Sequence, residues 1–297
     1  MSLLRRIFAR APKAVVPARS VATSPAPANT LADTVPARVI QLAGELTRLA
    51  PDRAEVLLAR LCDGMASGSN ENALYQTAEA LATAVYPKYK FSEYARLFLE
   101  DTDFLAYYER FMDPGNWHSL DRKYTLDQLL KLTLHLAGDV AECGAYKGAS
   151  AFLMCRAHRG SGHLVHLFDS FEGLSDPGEF DGDYWTPRAL EMPEQVLRES
   201  LAGFDNYRVY QGWIPGRFPE VAGHAFAFVH IDVDLYRPTL DSLEFFYERT
   251  LPGGVILMDD YGFRTCPGAK AAADEFFRDK PEPVVMLSTG QAFAIKR

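Results

Sequence analysis

From Gly138 onward, short β-branched or aromatic runs alternate with helix-length stretches. The strand-like runs are Asp139–Cys143, Leu164–Phe168, Arg208–Tyr210, Ala225–Ile231, Val255–Met258, Val284–Leu287 and Ala292–Lys296, with helices expected over about 148–159, 191–202, 238–249 and 268–279. Strands separated by helices join through crossovers, and crossovers build a parallel, doubly wound sheet. The last two runs are linked only by Ser288-Thr289-Gly290-Gln291, too short for a crossover, so they pair antiparallel. The expected fold is α/β, a mostly parallel seven-stranded sheet ending in an antiparallel hairpin.

The residues ahead of the sheet read differently. From Val35 to Leu136 the apolar spacing is helical, as in Val39, Leu42, Leu46 and Leu49. Further helices are expected over 71–85, 92–111 and 125–136, the last with Thr125 as its N-cap. No fixed period recurs, which argues against a solenoid. The division expected is a basic tail (1–30), a helical accessory region (31–120) suited to oligomer contacts or to a substrate wall, and a catalytic domain (121–297). The tail is rich in Ala, Pro and Arg, and its basic residues Arg5, Arg6, Arg10, Lys13 and Arg19 all precede the first acid, Asp33. It suits either a flexible bacterial terminus or an organelle transit peptide, and it lacks the apolar stretch of a secretory signal. The first of these readings, with a cytoplasmic protein, is the one adopted.

Charge excludes one class of partner. Without those five residues the chain carries −13 (26 Lys+Arg against 39 Asp+Glu), and a body that acidic repels nucleic acid. No apolar run is long enough to span a bilayer. Cys62, Cys143, Cys155 and Cys266 are scattered without a C-x-x-C pair, so neither a disulfide framework nor a thiolate metal site is expected. His166, His224 and His230 read as packing or surface histidines.

In a parallel sheet, ligands gather at the carboxyl ends of the strands. The first strand runs into Glu142-Cys143-Gly144-Ala145-Tyr146-Lys147-Gly148, where two glycines permit a tight turn and close approach of a ligand. The spacing is G-x-x-x-G, not the dinucleotide G-x-G-x-x-G. Glu142 would repel a pyrophosphate and suits a cationic ligand such as the ammonium and sulfonium of S-adenosylmethionine. Asp169, closing the second strand, can accept both hydroxyls of a ribose, or can cap the turn that follows.

The densest chemistry comes later. His230-Ile231-Asp232-Val233-Asp234 and Met258-Asp259-Asp260-Tyr261 each follow an apolar run, which puts their aspartates at strand carboxyl ends. Carboxylates gathered there repel one another, and a hard divalent cation relieves that repulsion. Oxygen-only ligands favour Mg²⁺ over Mn²⁺ or Ca²⁺, and disfavour zinc. An apolar strand before D-x-D, with a later D-D, is also similar to the pattern of haloacid-dehalogenase-type phosphatases. There, however, the D-x-D lies on the first strand. A binding module that kept the fold without turnover is a further alternative.

Taken together, "GDVAECGAYKGAS", "LFDSFEGL", "GWIP", "HIDVDLYRPTLDSL" and "PGGVILMDDYG" resemble the macrocin-type (TylF-like) O-methyltransferases, in family order, from about Arg122 to the end. The resemblance implies a class I methyltransferase (Rossmann-like) fold, S-adenosylmethionine, bound Mg²⁺, and a hydroxyl acceptor on a sugar, glycan or natural product with neighbouring hydroxyls. It places Glu142, Gly144, Tyr146, Gly148 and Ser150 at the methionine end of the cofactor, Asp169 and Ser170 at its ribose, and Gln211, Gly212 and Trp213 at its adenine. It assigns Asp232, Asp259 and Asp260 to the metal and Asp234 to the general base. Val233 stands where the family usually has Gly. The segment Leu174–Glu191 is long enough to be a lid over substrate, or an ordinary surface loop.

Overall fold

The computed structural model of the chain describes residues 37–51, 53–68, 70–85, 100–112 and 119–297, with only the backbone given at Val39, Glu71, Asn72 and Val85. The tail expected over 1–30 lies outside the described residues. The chain divides into two compact units, one ending at Ala95 and the other running from Arg96 to the end.

The first unit contains α1 (Ala37–Leu49), α2 (Ala54–Ala66) and α3 (Glu71–Val85). Helices α2 and α3 pack closely where Gly64 meets Thr77: a Cβ at Gly64 would lie 2.6 Å from the Thr77 hydroxyl.

The second unit opens with α4 (Thr102–Phe111) and α5 (Leu120–Lys131). Asp101 caps α4 by accepting the Phe104 N–H at 2.9 Å. Of the helix expected over 92–111, residues 92–99 lie outside the described residues. Helix α5 begins at Leu120 after Ser119, five residues before the expected cap Thr125. Its buried stripe is Lys123, Leu126 and Leu130, and a lysine heading an apolar stripe disguises the helix start. Helices α4 and α5 fall in the same compact unit as the sheet.

Then follow β1 (Asp139–Cys143), α6 (Ala149–Ala157), β2 (Val165–Asp169), α7 (Glu194–Ser200), β3 (Tyr207–Gln211), β4 (Phe226–Ile231), α8 (Tyr236–Tyr247), β5 (Thr250–Met258), α9 (Pro267–Phe277), β6 (Val285–Met286) and β7 (Ala292–Ile295). The sheet order is β3-β2-β1-β4-β5-β7-β6. The pairs β3-β2, β2-β1, β1-β4 and β4-β5 are parallel, and β7 is antiparallel to both β5 and β6. The expected strands are all present. β5 starts five residues early, because Pro252-Gly253-Gly254, which reads as a breaker, lies inside the strand at a shift of register against β4.

Alternation along the strands builds two cores. Val140, Leu167, Phe228 and Leu257 face α4–α7, while Ala141, Phe168, Val229, Ile231 and Ile256 face α8 and α9. The sheet is thus buried on both faces, as parallel sheets require.

Candidate active site

The order of the sheet puts its switch of direction between β1 and β4, and the loops leaving those two strands touch. Gly144 has φ +85°, and a Cβ there would sit 1.8 Å from the Asp232 carbonyl oxygen, so glycine alone fits. Asp169 fixes the loop after β1. One of its oxygens accepts the N–H groups of Ala145 and Tyr146, both at 2.8 Å, and the other accepts that of Phe171 at 2.7 Å. These bonds hold Tyr146 (φ 44°) and Phe171 (φ 56°) in the left-handed region. Burial raises the Asp169 pKa, and the three N–H donors oppose that rise. Ser170 closes the next turn, donating to the Gly173 carbonyl at 2.9 Å.

After β4 the chain turns sharply through Asp232, Val233 and Asp234. Asp234 is itself left-handed (φ 60°) and donates its backbone N–H to Asp260 Oδ2 at 3.0 Å. The Cys266 thiol donates to Asp234 Oδ1 at 3.4 Å. Burial, then the charge of Asp232, pushes the Asp234 carboxyl up to about 7. Asp260 is driven well above the ordinary carboxylate value by burial and by Asp234 and Asp232.

Asp259 lies beneath this surface, fully buried. Gln291 Nε2 donates to its Oδ1 at 2.6 Å, His230 Nε2 is 3.2 Å from the same oxygen, and the Arg122 guanidinium pairs with Oδ2. His230 Nδ1 reaches Glu142 Oε1 at 3.1 Å, so Glu142, His230 and Asp259 form one buried chain. Glu142 Oε2 has no hydrogen-bond partner among the described residues, and burial raises the Glu142 pKa. Beside it the fully buried Lys123 donates to Ser150 Oγ at 2.6 Å. Burial lowers its pKa to about 8, against the opposing pull of Asp232, Glu142 and Asp260.

These contacts test whether the residues suit a hard cation. Five carboxyl groups (Glu142, Asp232, Asp234, Asp259 and Asp260) meet two fixed cations, Arg122 and Lys123, a surplus of negative groups that adds to burial in raising the pKa values of Asp234 and Asp260. A divalent cation would relieve that surplus, and the donors on offer are the oxygens it prefers. They stand in two groups, however. Asp232 and Asp259 gather with His230, whereas Asp260 gathers with Asp234 and Cys266. The Arg122 guanidinium lies 3.9 Å from Asp260 as well as against Asp259, and provides the positive charge between the groups.

Above the acids lies a cavity of about 770 Å³. Its lining includes Gly144, Tyr146, Asp169, Ser170, Gly212 and Trp213 together with Asp232, Asp234, Asp260 and Arg122. Of the expected site residues, Glu142, Gly148, Ser150, Gln211 and Asp259 do not line it. Glu142, Ser150 and Asp259 are buried. The Gln211 carbonyl accepts from Arg217 at 2.6 Å. Gly148 instead supplies the left-handed turn (φ 87°) that starts α6.

Leu174, Ser175, Trp185 and Leu190 close the cavity from the segment 174–191. That segment is anchored. Asp181, buried, accepts the Tyr236 N–H at 2.6 Å and the Gly178 N–H at 2.7 Å, and Trp185 Nε1 donates to Cys266 Sγ at 3.4 Å. Sequence reasoning missed Arg122, Lys123, Gln291 and Cys266, and read His230 as packing. The signal that was available for Lys123 is its position on the apolar stripe of α5.

A seven-stranded sheet in this order, antiparallel only at β7, with a cavity over the carboxyl ends, has the architecture of the class I O-methyltransferases. The family described as Macrocin-O-methyltransferase (TylF) matches residues 117–287, and the chain belongs to that family. It is 31% identical over 156 residues to demethyldecarbamoylnovobiocin O-methyltransferase of Streptomyces niveus (48% of this chain, 59% of that protein). It is 30% identical over 148 residues to the 8-demethyl-8-(2,3-dimethoxy-alpha-L-rhamnosyl)-tetracenomycin-C 4'-O-methyltransferase of Streptomyces olivaceus (44% and 56%). The chain thus matches somewhat more than half the length of these relatives. Among solved structures, the O-methyltransferase NovP superposes with a TM-score of 0.53 at 25% identity, covering 62% of this chain and 84% of that one. The calicheamicin methyltransferase CalS11 shares the fold at 17% identity, with a TM-score of 0.54 and 69% and 95% coverage. The phosphatase reading gains nothing from either the family or the sheet, where D-x-D follows β4 and not the first strand.

Proposed function

We propose that this chain transfers a methyl group from S-adenosylmethionine to a hydroxyl oxygen of a sugar, glycan or other natural product. The observation that carries the reading is that Asp232, Asp234 and Asp260 line the same cavity as Asp169 and the glycine loop after β1. The names of the relatives support it, since both are O-methyltransferases and one is named for a rhamnosyl-tetracenomycin. About 770 Å³ is room for a nucleoside donor together with part of an acceptor.

In this reading Gly144 lets the donor approach the backbone. Asp169, with three N–H groups already on it, offers its remaining acceptor capacity to a ribose hydroxyl. Trp213, Ile214 and Trp185 give the cavity apolar walls that exclude water from the methyl transfer. Asp234 takes the proton of the attacking hydroxyl. An ordinary aspartate is a feeble base towards an alcohol, and the elevated pKa of Asp234 narrows that mismatch. Asp232 and Asp260, which line the cavity, would hold Mg²⁺, with Asp259 joining them where the ion replaces Arg122 as its counter-charge; the ion would lower the pKa of a coordinated hydroxyl and orient it. Arg122 and the ion are then alternative counter-charges for Asp259.

The test is transfer of a labelled methyl group from S-adenosylmethionine to acceptors bearing neighbouring hydroxyls, with and without EDTA. Asp232→Asn should abolish transfer while leaving donor binding within a few-fold. Activity that survives both EDTA and Asp232→Asn would remove the metal from the scheme. Release of phosphate from an aryl phosphate, without S-adenosylmethionine, would favour the phosphatase alternative.

A further inference from the structure

At the opposite, amino-terminal end of the strands, three side chains from separate segments converge on one point. They are Asp139 at the start of β1, His166 on β2, and His224 in the turn leading into β4. His166 Nε2 lies 3.1 Å from Asp139 Oδ2, and His224 Nδ1 lies 2.7 Å from that same oxygen. One donor atom from each residue falls within 4.8 Å of the others. The far nitrogen of His166 is 2.9 Å from the Tyr210 hydroxyl. His163 Nδ1 lies 3.8 Å from Asp139 Oδ1, the oxygen that accepts the Leu164 N–H at 2.9 Å.

We propose that Asp139, His166 and His224 form a binding site for a divalent transition-metal ion of the zinc class, separate from the acids at the carboxyl edge. Two imidazole nitrogens and one carboxylate oxygen are the ligand set with which proteins hold Zn²⁺ while leaving a fourth position to water. Both ligating histidines must be neutral to bind the ion. Tyr210 supplies the outer hydrogen bond that fixes a metal-bound imidazole's tautomer. His224 is about two-fifths exposed, which gives an ion a way in. The cluster is nitrogen-rich where the carboxyl-edge acids offer mainly oxygen, so the two sites differ in the metal they prefer. An ion here would tie β1, β2 and the approach to β4 together and add to stability without touching the methyl-transfer chemistry.

The experiment is a calorimetric titration of the full chain with Zn²⁺ in excess Mg²⁺, paired with the visible spectrum of the Co²⁺-loaded protein and its melting temperature. The expected result is one zinc equivalent, tetrahedral cobalt bands and a raised melting temperature. His224→Ala and His224→Gln should weaken zinc binding at least about a hundredfold and Tyr210→Phe about tenfold, while Asp232→Asn keeps it. Absence of zinc binding, equal affinity in the wild type and both His224 variants, or loss of binding in Asp232→Asn alone would overturn the proposal. Each of these outcomes would leave the three side chains as a hydrogen-bonded clasp only.

Discussion

The Asp234 carboxyl carries opposing demands: it is buried beside Asp232, yet it faces the cavity where a proton must be accepted. Its folded pKa of about 7 lies above the ordinary carboxylate value, so the folded chain binds a proton that the unfolded chain has released. The resulting stabilisation is complete below about pH 4 and is lost as pH rises through about 7. In chelator-treated protein, the melting-temperature advantage of Asp234→Asn over the wild type should therefore grow across that window, whereas a pH-independent difference would show that the carboxyl is not so perturbed. The same variant should lower kcat by about a thousandfold, within the range for losing a general base, with donor affinity kept. Lys123 makes a second case. Lys123→Met removes the cation between Glu142 and Asp232 and should cost about 3 kcal/mol in denaturant unfolding; a neutral outcome would mean that Glu142 is protonated in the folded chain. The acids were legible in the sequence because each follows an apolar run that fixes its place at a strand end. Arg122, Lys123, Gln291 and Cys266 were not, because they reach the site from α5, the β6–β7 turn and the approach to α9. Only tertiary packing brings those elements beside β4 and β5.

Among the elements, the loops after β1 and β2 act as one unit through Asp169. Gly144→Ala drives a Cβ into the Asp232 carbonyl in a left-handed backbone and should cost about 2 kcal/mol or more, with donor binding lost first. The 174–191 segment is latched at Asp181 to the amino end of α8. Asp181→Ala strands the Tyr236 and Gly178 N–H groups, each worth about 1–3 kcal/mol when left unsatisfied. It should speed limited proteolysis within 174–191 and raise the acceptor KM more than it lowers kcat. Unchanged cleavage would show that the latch does not hold the segment. All seven strands could be read from apolar runs. Their edges could not, because Gly253 and Gly254 are turn formers in sequence yet lie within β5, and pairing with β4 and β7 overrides local preference.

Along the strand direction the acids and the cavity lie at the carboxyl edge of the sheet and the His–Asp cluster at the amino edge. A role in self-association for the helical unit ending at Ala95 is a proposal that light scattering of the full chain and of a variant lacking residues 1–95 would address. Among the described residues no helix is long and apolar enough to cross a membrane. The claim on which the rest depends is that the cavity above β1 and β4 receives the methyl donor. Calorimetric titration with S-adenosylhomocysteine tests it most directly. Single-site binding that weakens at least about tenfold, or about 1.4 kcal/mol, in Asp169→Ala and persists in Asp232→Asn is the expected result. No binding to the wild type, or an affinity indifferent to Asp169, would contradict it.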